Sequence, residues 1–267
     1  MSSSETGAAT AGRFDERTIE TLTIDDEESF RHVALYDDLK EILRRARYPF
    51  RVLPAAMAGR WDRALFLNLT YWGADAGGDV LVDGHLAADV VAHVAWHHLA
   101  KLALKSASPA ALFLGESIAS AFDLYLVGRL LGHAPRSSFL ATQVPAMAEA
   151  AEGAGLSERA FEKLLGEVAR DPERAFEDLR ALLFDASCEL FACDDAQGAL
   201  AVTARLDAHR FGSMVHHYEL SNWVLYARAH GDTGAEDATT CKIDEALRQA
   251  PVSVDWLATH WVAPALR

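Results

Sequence analysis

Among the eleven histidines of this chain, His93 and His97 have the spacing that metal chemistry needs. They stand four residues apart in a segment, Asp89 to Leu104, whose apolar residues recur at helical period. Four apart on a helix places both imidazoles on one face, one turn apart, where they can share one ion. His98 is five from His93 and points elsewhere. A site needs a third donor. Ser106 to Pro109 breaks the chain, and a second helical pattern follows. In an antiparallel helix pair, residues whose numbers have a common sum lie level. Glu116 then comes level with His97, and Asp123 lies two turns further along the same face, near His93. Glu116 is the expected third ligand, and Asp123 is placed to orient His93 through its other ring nitrogen. Both acids interrupt a strongly apolar helix, where a carboxylate requires a cation or hydrogen-bond donors. Two neutral histidines and one carboxylate leave coordination positions open on Fe(II) or Zn(II), as catalysis requires.

A second cluster is His216-His217-Tyr218-Glu219, with His209 seven residues before His216. His216 and Glu219 are three apart and could chelate. The plainer alternative is a set of polar residues beside Trp223 and Tyr226. A middle reading makes His216 or His217 a catalytic residue facing the metal site, as proton donor or oxyanion stabiliser. Helical period does not choose between the two. Gly73 to Gly78 lacks the Lys-Ser/Thr of a phosphate loop and reads as a flexible connection. No Gly-x-Ser-x-Gly elbow occurs. Cys188, Cys193 and Cys241 form no Cys-x-x-Cys pair and read as free thiols of a reducing compartment.

The elements that must position these groups are mostly helical. Residues 1–16 are Ser, Thr, Ala and Gly with scattered charges, and are expected as a disordered tail. A helix is expected from the acidic run Asp25–Glu28, which suits a first turn, to Tyr48-Pro49. Ala64–Trp72 is rich in β-formers and is expected as a strand, with Asp79–Val82 as its neighbour. His85 reads as a turn residue. Helices are expected near 87–105, 110–131, 138–152, 157–169, 172–192, 195–209, 211–229, 239–249 and 253–262. Asp171-Pro172 is a start signal, and Gly132, Gly153 and Gly231 are stops. The fold class is thus α+β and mostly helical. It has a small N-terminal β-sheet, then the metal-site helix pair, then a C-terminal helical part. Residues 17–135 form the part carrying the metal site, and 136–267 a helical part packed on it as one unit.

Composition narrows the function classes. With 51% hydrophobic and 24% charged residues, the chain has the balance of an ordinary globular protein. The net charge of −14 argues against a nucleic-acid partner, since an acidic surface repels phosphates. The best local basic patch is Lys40 to Arg51. The N-terminus has no basic region followed by an apolar core, so no signal peptide is expected. Ala110 to Leu131 contains Glu116, Asp123 and Arg129, which argues against a membrane span. A cytoplasmic protein is the expectation, and the Ala, Arg and Asp content suggests a GC-rich bacterial genome.

The segment His93-Val94-Ala95-Trp96-His97, followed 18 residues later by Gly115-Glu116-Ser117, resembles the gluzincin metallopeptidases. In that family a helix carries His-Glu-x-x-His and a following helix supplies a Glu ligand. The runs LFLNLTYW and DVLVDG resemble the sheet edge that precedes the metal helix there. The resemblance covers about residues 63–131. It implies a peptidase-like scaffold with His93, His97 and Glu116 as ligands, and a polar catalytic residue such as His216 or His217 from a C-terminal helical part. It departs at Val94, which stands where the family has its catalytic Glu. That Glu moves the proton of metal-bound water, and valine cannot. The expectation is therefore a mononuclear metalloenzyme that does not cleave peptides by the usual route. Iron and oxygen chemistry fits a two-His-one-carboxylate set without a base. Zinc-hydroxide chemistry with a base from elsewhere is the other option. The substrate would be a small molecule or a peptide lying along Ala64–Trp72. The alternatives are a catalytically inactive pseudo-peptidase acting as a binding or regulatory module, and a plain helical interaction protein without metal.

Overall fold

A computed structural model describes residues 13–70, 79–215, 217–231 and 237–267. The chain order is β1 (Asp15–Arg17), β2 (Thr23–Asp25), α1 (Glu27–Phe30), α2 (Tyr36–Arg45), β3 (Phe50–Val52), α3 (Trp61–Thr70), β4 (Val80–Leu81) and β5 (His85–Ala87). Then come α4 (Ala88–Leu104), α5 (Pro109–His133), α6 (Ser138–Gly153), α7 (Glu158–Arg170), α8 (Pro172–Ala192) and α9 (Ala196–Asp207). The chain continues with α10 (His217–His230), α11 (Ala238–Gln249), α12 (Ser253–Leu257) and α13 (Ala263–Ala265). The fold is mostly helical α+β, with short strands confined to the N-terminal third. By contacts the chain forms two compact units: Met1–Ile24 with Arg44–Leu86, and Asp25–Leu43 with Ala87–Arg267.

The first unit holds a three-stranded sheet in the order β1-β3-β4. β1 runs antiparallel to β3, pairing Asp15 with Val52, and β3 runs parallel to β4, pairing Arg51 with Val80. Asp15 and Glu16 are thus strand residues rather than tail. The expected strand Ala64–Trp72 is corrected: as far as Thr70 it belongs to helix α3, and Tyr71 and Trp72 lie outside the described residues. The physical reason is burial at helical period. Ala64 and Leu67, three apart, pack with Leu53, Val80, Phe14 and Val82, and that contact outweighs local β-propensity. Asn68, on the next position, pairs β4. Its Nδ2 donates to the Val80 carbonyl at 2.9 Å, and the Val80 N–H donates to its Oδ1 at 2.8 Å. The outward-facing backbone groups of Val80 are therefore taken by a side chain. An extended peptide cannot add to β4 at that point.

The second unit is built around α5. This helix is apolar nearly all round, so it buries on every side, against α4, α6, α7, α8, α10 and α11. Its length and composition would suffice to cross a membrane, yet 72% of its most apolar window is buried inside the protein. Gly128 permits the closest crossing. A Cβ there would stand 2.8 Å from both Pro172 Cβ and the Val168 carbonyl, at the α7–α8 junction. Asp171 caps α8 as its sequence signalled, accepting from the Arg174 N–H at 3.0 Å. The helix expected from Asp25 is interrupted: α1 and α2 are separated at Leu35, whose φ is +73°. The helix expected over 211–229 is also broken. Gly212–Met214 forms a 3-10 turn, packed so closely on the end of α9 that a Cβ at Gly212 would stand 2.1 Å from the Leu206 carbonyl. α10 begins only at His217.

Candidate metal centre

Helices α4 and α5 form an antiparallel pair within the second unit. The turn between them is short, and its geometry is set by capping. Ser108 Oγ accepts from the Ala111 N–H at 3.1 Å, and Pro109 opens α5. The Ser108 hydroxyl in turn donates to Asp237 at 2.7 Å, and Asp237 caps α11. On α4, Val94, Ala95 and Trp96 are buried, and Trp96 meets Phe122 of α5 edge-on at 5.2 Å. That anchoring leaves the 93/97 stripe at the border of the core. His93, His97 and Asp123 side chains keep 31%, 34% and 37% exposure and Glu116 keeps 17%, so small molecules can reach the group from solvent.

The structure brings His93, His97 and Glu116 together, with one ligand atom from each lying within 4.8 Å of the others. His97 Nε2 is 3.0 Å from His93 Nε2 and 3.6 Å from Glu116 Oε2. Two donors bound at about 2.1 Å to one ion, subtending about 90–110°, are separated by about 3.0–3.4 Å. The nitrogens already have that separation, and the Glu116 oxygen is about 0.2 Å outside it on the His97 side. This His-His-Glu group can hold a metal ion. Asp123 Oδ2 lies 3.0 Å from His93 Nδ1. A carboxylate there fixes the tautomer with the proton on Nδ1, which leaves the Nε2 lone pair for an ion.

Asp89 was not singled out by sequence reasoning. It continues the stripe of His93 and His97 by one more turn toward the start of α4. Burial pushes its carboxyl up to about 6, and the neighbouring Asp123 charge pushes the same way. Its own N–H, the Val90 N–H and His93 oppose the rise. The signal was available, since 89, 93 and 97 are spaced by four. His98 is off the stripe, as its spacing implied. Burial lowers its pKa, with Lys101 adding to the effect, so it favours the neutral form.

The other expected catalytic residues are placed less fully. His216 lies outside the described residues. His217 is the first residue of α10. Val94, the departure from the metallopeptidase pattern, is 2% exposed, so the position after His93 faces the core. Fold and site together define a mostly helical α+β protein with a potential three-residue metal centre on a buried helix pair. No protein family, curated protein or solved structure matches the chain.

Proposed function

We propose that the chain is a metal-dependent enzyme with one divalent ion, Fe(II) or Zn(II), held by His93, His97 and Glu116. The observation that carries the reading is the convergence of two imidazole nitrogens 3.0 Å apart and a carboxylate 3.6 Å from one of them. Two histidines and one carboxylate leave positions open for a substrate, and a bound ion there would supply Lewis acidity or, as iron, oxygen chemistry. Asp123 holds the His93 proton at Nδ1. The buried residues Val94 to Trp96 would keep water from the core side of α4 behind the site. The metallopeptidase-like pattern of His93-x-x-x-His97 and Glu116 supports a scaffold of that kind, with Val94 arguing against ordinary peptide hydrolysis. The substrate is a small molecule or a short peptide. With Ala64–Thr70 helical, it does not lie along a strand in that segment. His217 and His216 stay as proposed polar partners from the C-terminal helical part.

Metal analysis tests this reading. Protein purified without added metal is compared with His93→Ala, before and after loading with iron or zinc. One equivalent in the wild type, lost in the variant, is expected. At a free-ion concentration about 100-fold above Kd, the wild type should gain roughly 2.7 kcal/mol of stability that the variant lacks. No metal in the wild type after loading overturns the reading. A second reading is a pseudo-peptidase acting as a binding module. It is favoured by the buried Val94 in place of a base, and by the His97–His93–Asp123 contacts, which give the imidazoles hydrogen-bond partners from the protein itself. It predicts partner binding that chelators leave unchanged.

A further inference from the structure

We infer that the contact between Ala100 and Gly115 is the spacer that holds Glu116 within reach of an ion shared with His97, which makes both of them positioning residues. The inference rests on the metal reading above. Gly115 immediately precedes Glu116 on α5, and Ala100 follows His97 by three residues on α4. Both are buried. A Cβ added at Gly115 would stand 3.3 Å from Ala100 Cβ, inside the optimum of about 3.5–4.0 Å for two carbons. Its partner is a methyl fixed directly to a helix backbone, so it cannot swing aside. Relief would require α4 and α5 to part or to rotate.

That motion has a selective consequence. His93 and His97 share α4, so their 3.0 Å separation would survive it. Glu116 alone sits on the helix that would move away. The His97–Glu116 gap is already 3.6 Å, just beyond the span of about 3.0–3.4 Å that one ion bridges. Ligand distances tolerate only about 0.2 Å of error, so a shift of a few tenths of an ångström is large here. Glycine is also the poorest ordinary helix former, and α5 runs for 25 residues with Gly115 inside it. A residue unfavourable for the helix stands where a Cβ would need the two helices to give by a few tenths of an ångström.

The test uses the full chain as wild type, Gly115→Ala, Ala100→Gly with Gly115→Ala, and Glu116→Ala. Each is titrated with zinc and with cobalt(II) in competition with a chromophoric chelator, and circular dichroism in chelator checks the fold. Gly115→Ala should weaken binding about tenfold, a size usual for outer residues that orient ligands. Its cobalt spectrum should move toward that of Glu116→Ala. The double variant, which empties the space the new methyl needs, should recover to within about threefold of wild type. Gly115→Ala binding as tightly as wild type, or a folded double variant that fails to recover, overturns the spacer alone. A wild type that binds neither ion overturns the metal reading, and this inference with it.

Discussion

Replacing Asp123 by Asn tests the orienting hydrogen bond with little change of shape. Asp123 Oδ2 lies 3.0 Å from His93 Nδ1, and the two side chains keep 37% and 31% exposure. Asparagine can still accept from Nδ1–H through its oxygen, so the tautomer is kept and only the charge is lost. A hydrogen bond with a charged partner contributes about 1.5–3 kcal/mol against about 0.5–1.5 for a neutral one. Partial exposure screens the difference, which leaves about 1 kcal/mol, a factor of about five in an equilibrium constant. Metal affinity of Asp123→Asn should therefore fall about fivefold. Asp123→Leu removes the acceptor altogether and should cost about tenfold to a hundredfold. The assay is chelator competition with zinc, with melting in chelator as the control for fold. Equal affinity in wild type, Asn and Leu variants, while His93→Ala abolishes binding, would refute the orienting role.

Three further outcomes follow from the same geometry. Val94→Glu puts a buried carboxylate at a position that is 2% exposed, so it should destabilise the protein by about 3–5 kcal/mol and create no peptidase activity. A stable variant with new peptide hydrolysis would contradict this. Arg180 is fully buried and bonds Glu177 at 2.6 and 2.8 Å and Asp244 at 2.8 Å. Arg180→Ala should cost about 3–5 kcal/mol in urea unfolding, and Arg180→Ala with Asp244→Ala less than the sum of the two single changes. At Asp237, burial would raise the carboxyl, but bonds from Ser108, Thr240 and Ser106 outweigh it and lower its pKa from 3.8 to about 2. A depressed pKa stabilises the fold above pH 3.8 and ceases to do so as pH falls toward 2. The melting difference between wild type and Asp237→Asn should narrow over that window, and a difference independent of pH would contradict the assignment.

The parts of the fold that could be read from the sequence are those governed by local rules. Asp171-Pro172 marks a helix start whose cap needs only the next three residues. The α4 and α5 spans follow from apolar period and the break at Ser106–Pro109. His97 and Glu116 come level because a short turn forces an antiparallel pair. Residues 64–70 were misread because β-propensity measures fit to a pleated surface, and the surface here is a strand edge that takes a helix instead. The break before α10 carries no such local signal: Gly212–Met214 turns tightly against the Leu206 carbonyl at the end of α9. Asp89 shares the 93/97 stripe, but its raised carboxyl depends on burial and on the Asp123 charge from α5, which spacing along α4 does not record.

What the sequence determined by itself is the donor set and its periodicity. Two imidazoles four apart must share a helical face, and acids in an apolar helix must find partners. What only the tertiary structure decided is distance. Whether Glu116 reaches His97 depends on how closely two backbones approach at Gly115 and Ala100. That approach is fixed by side chains meeting across helices, a non-local contact that spacing along the chain cannot encode.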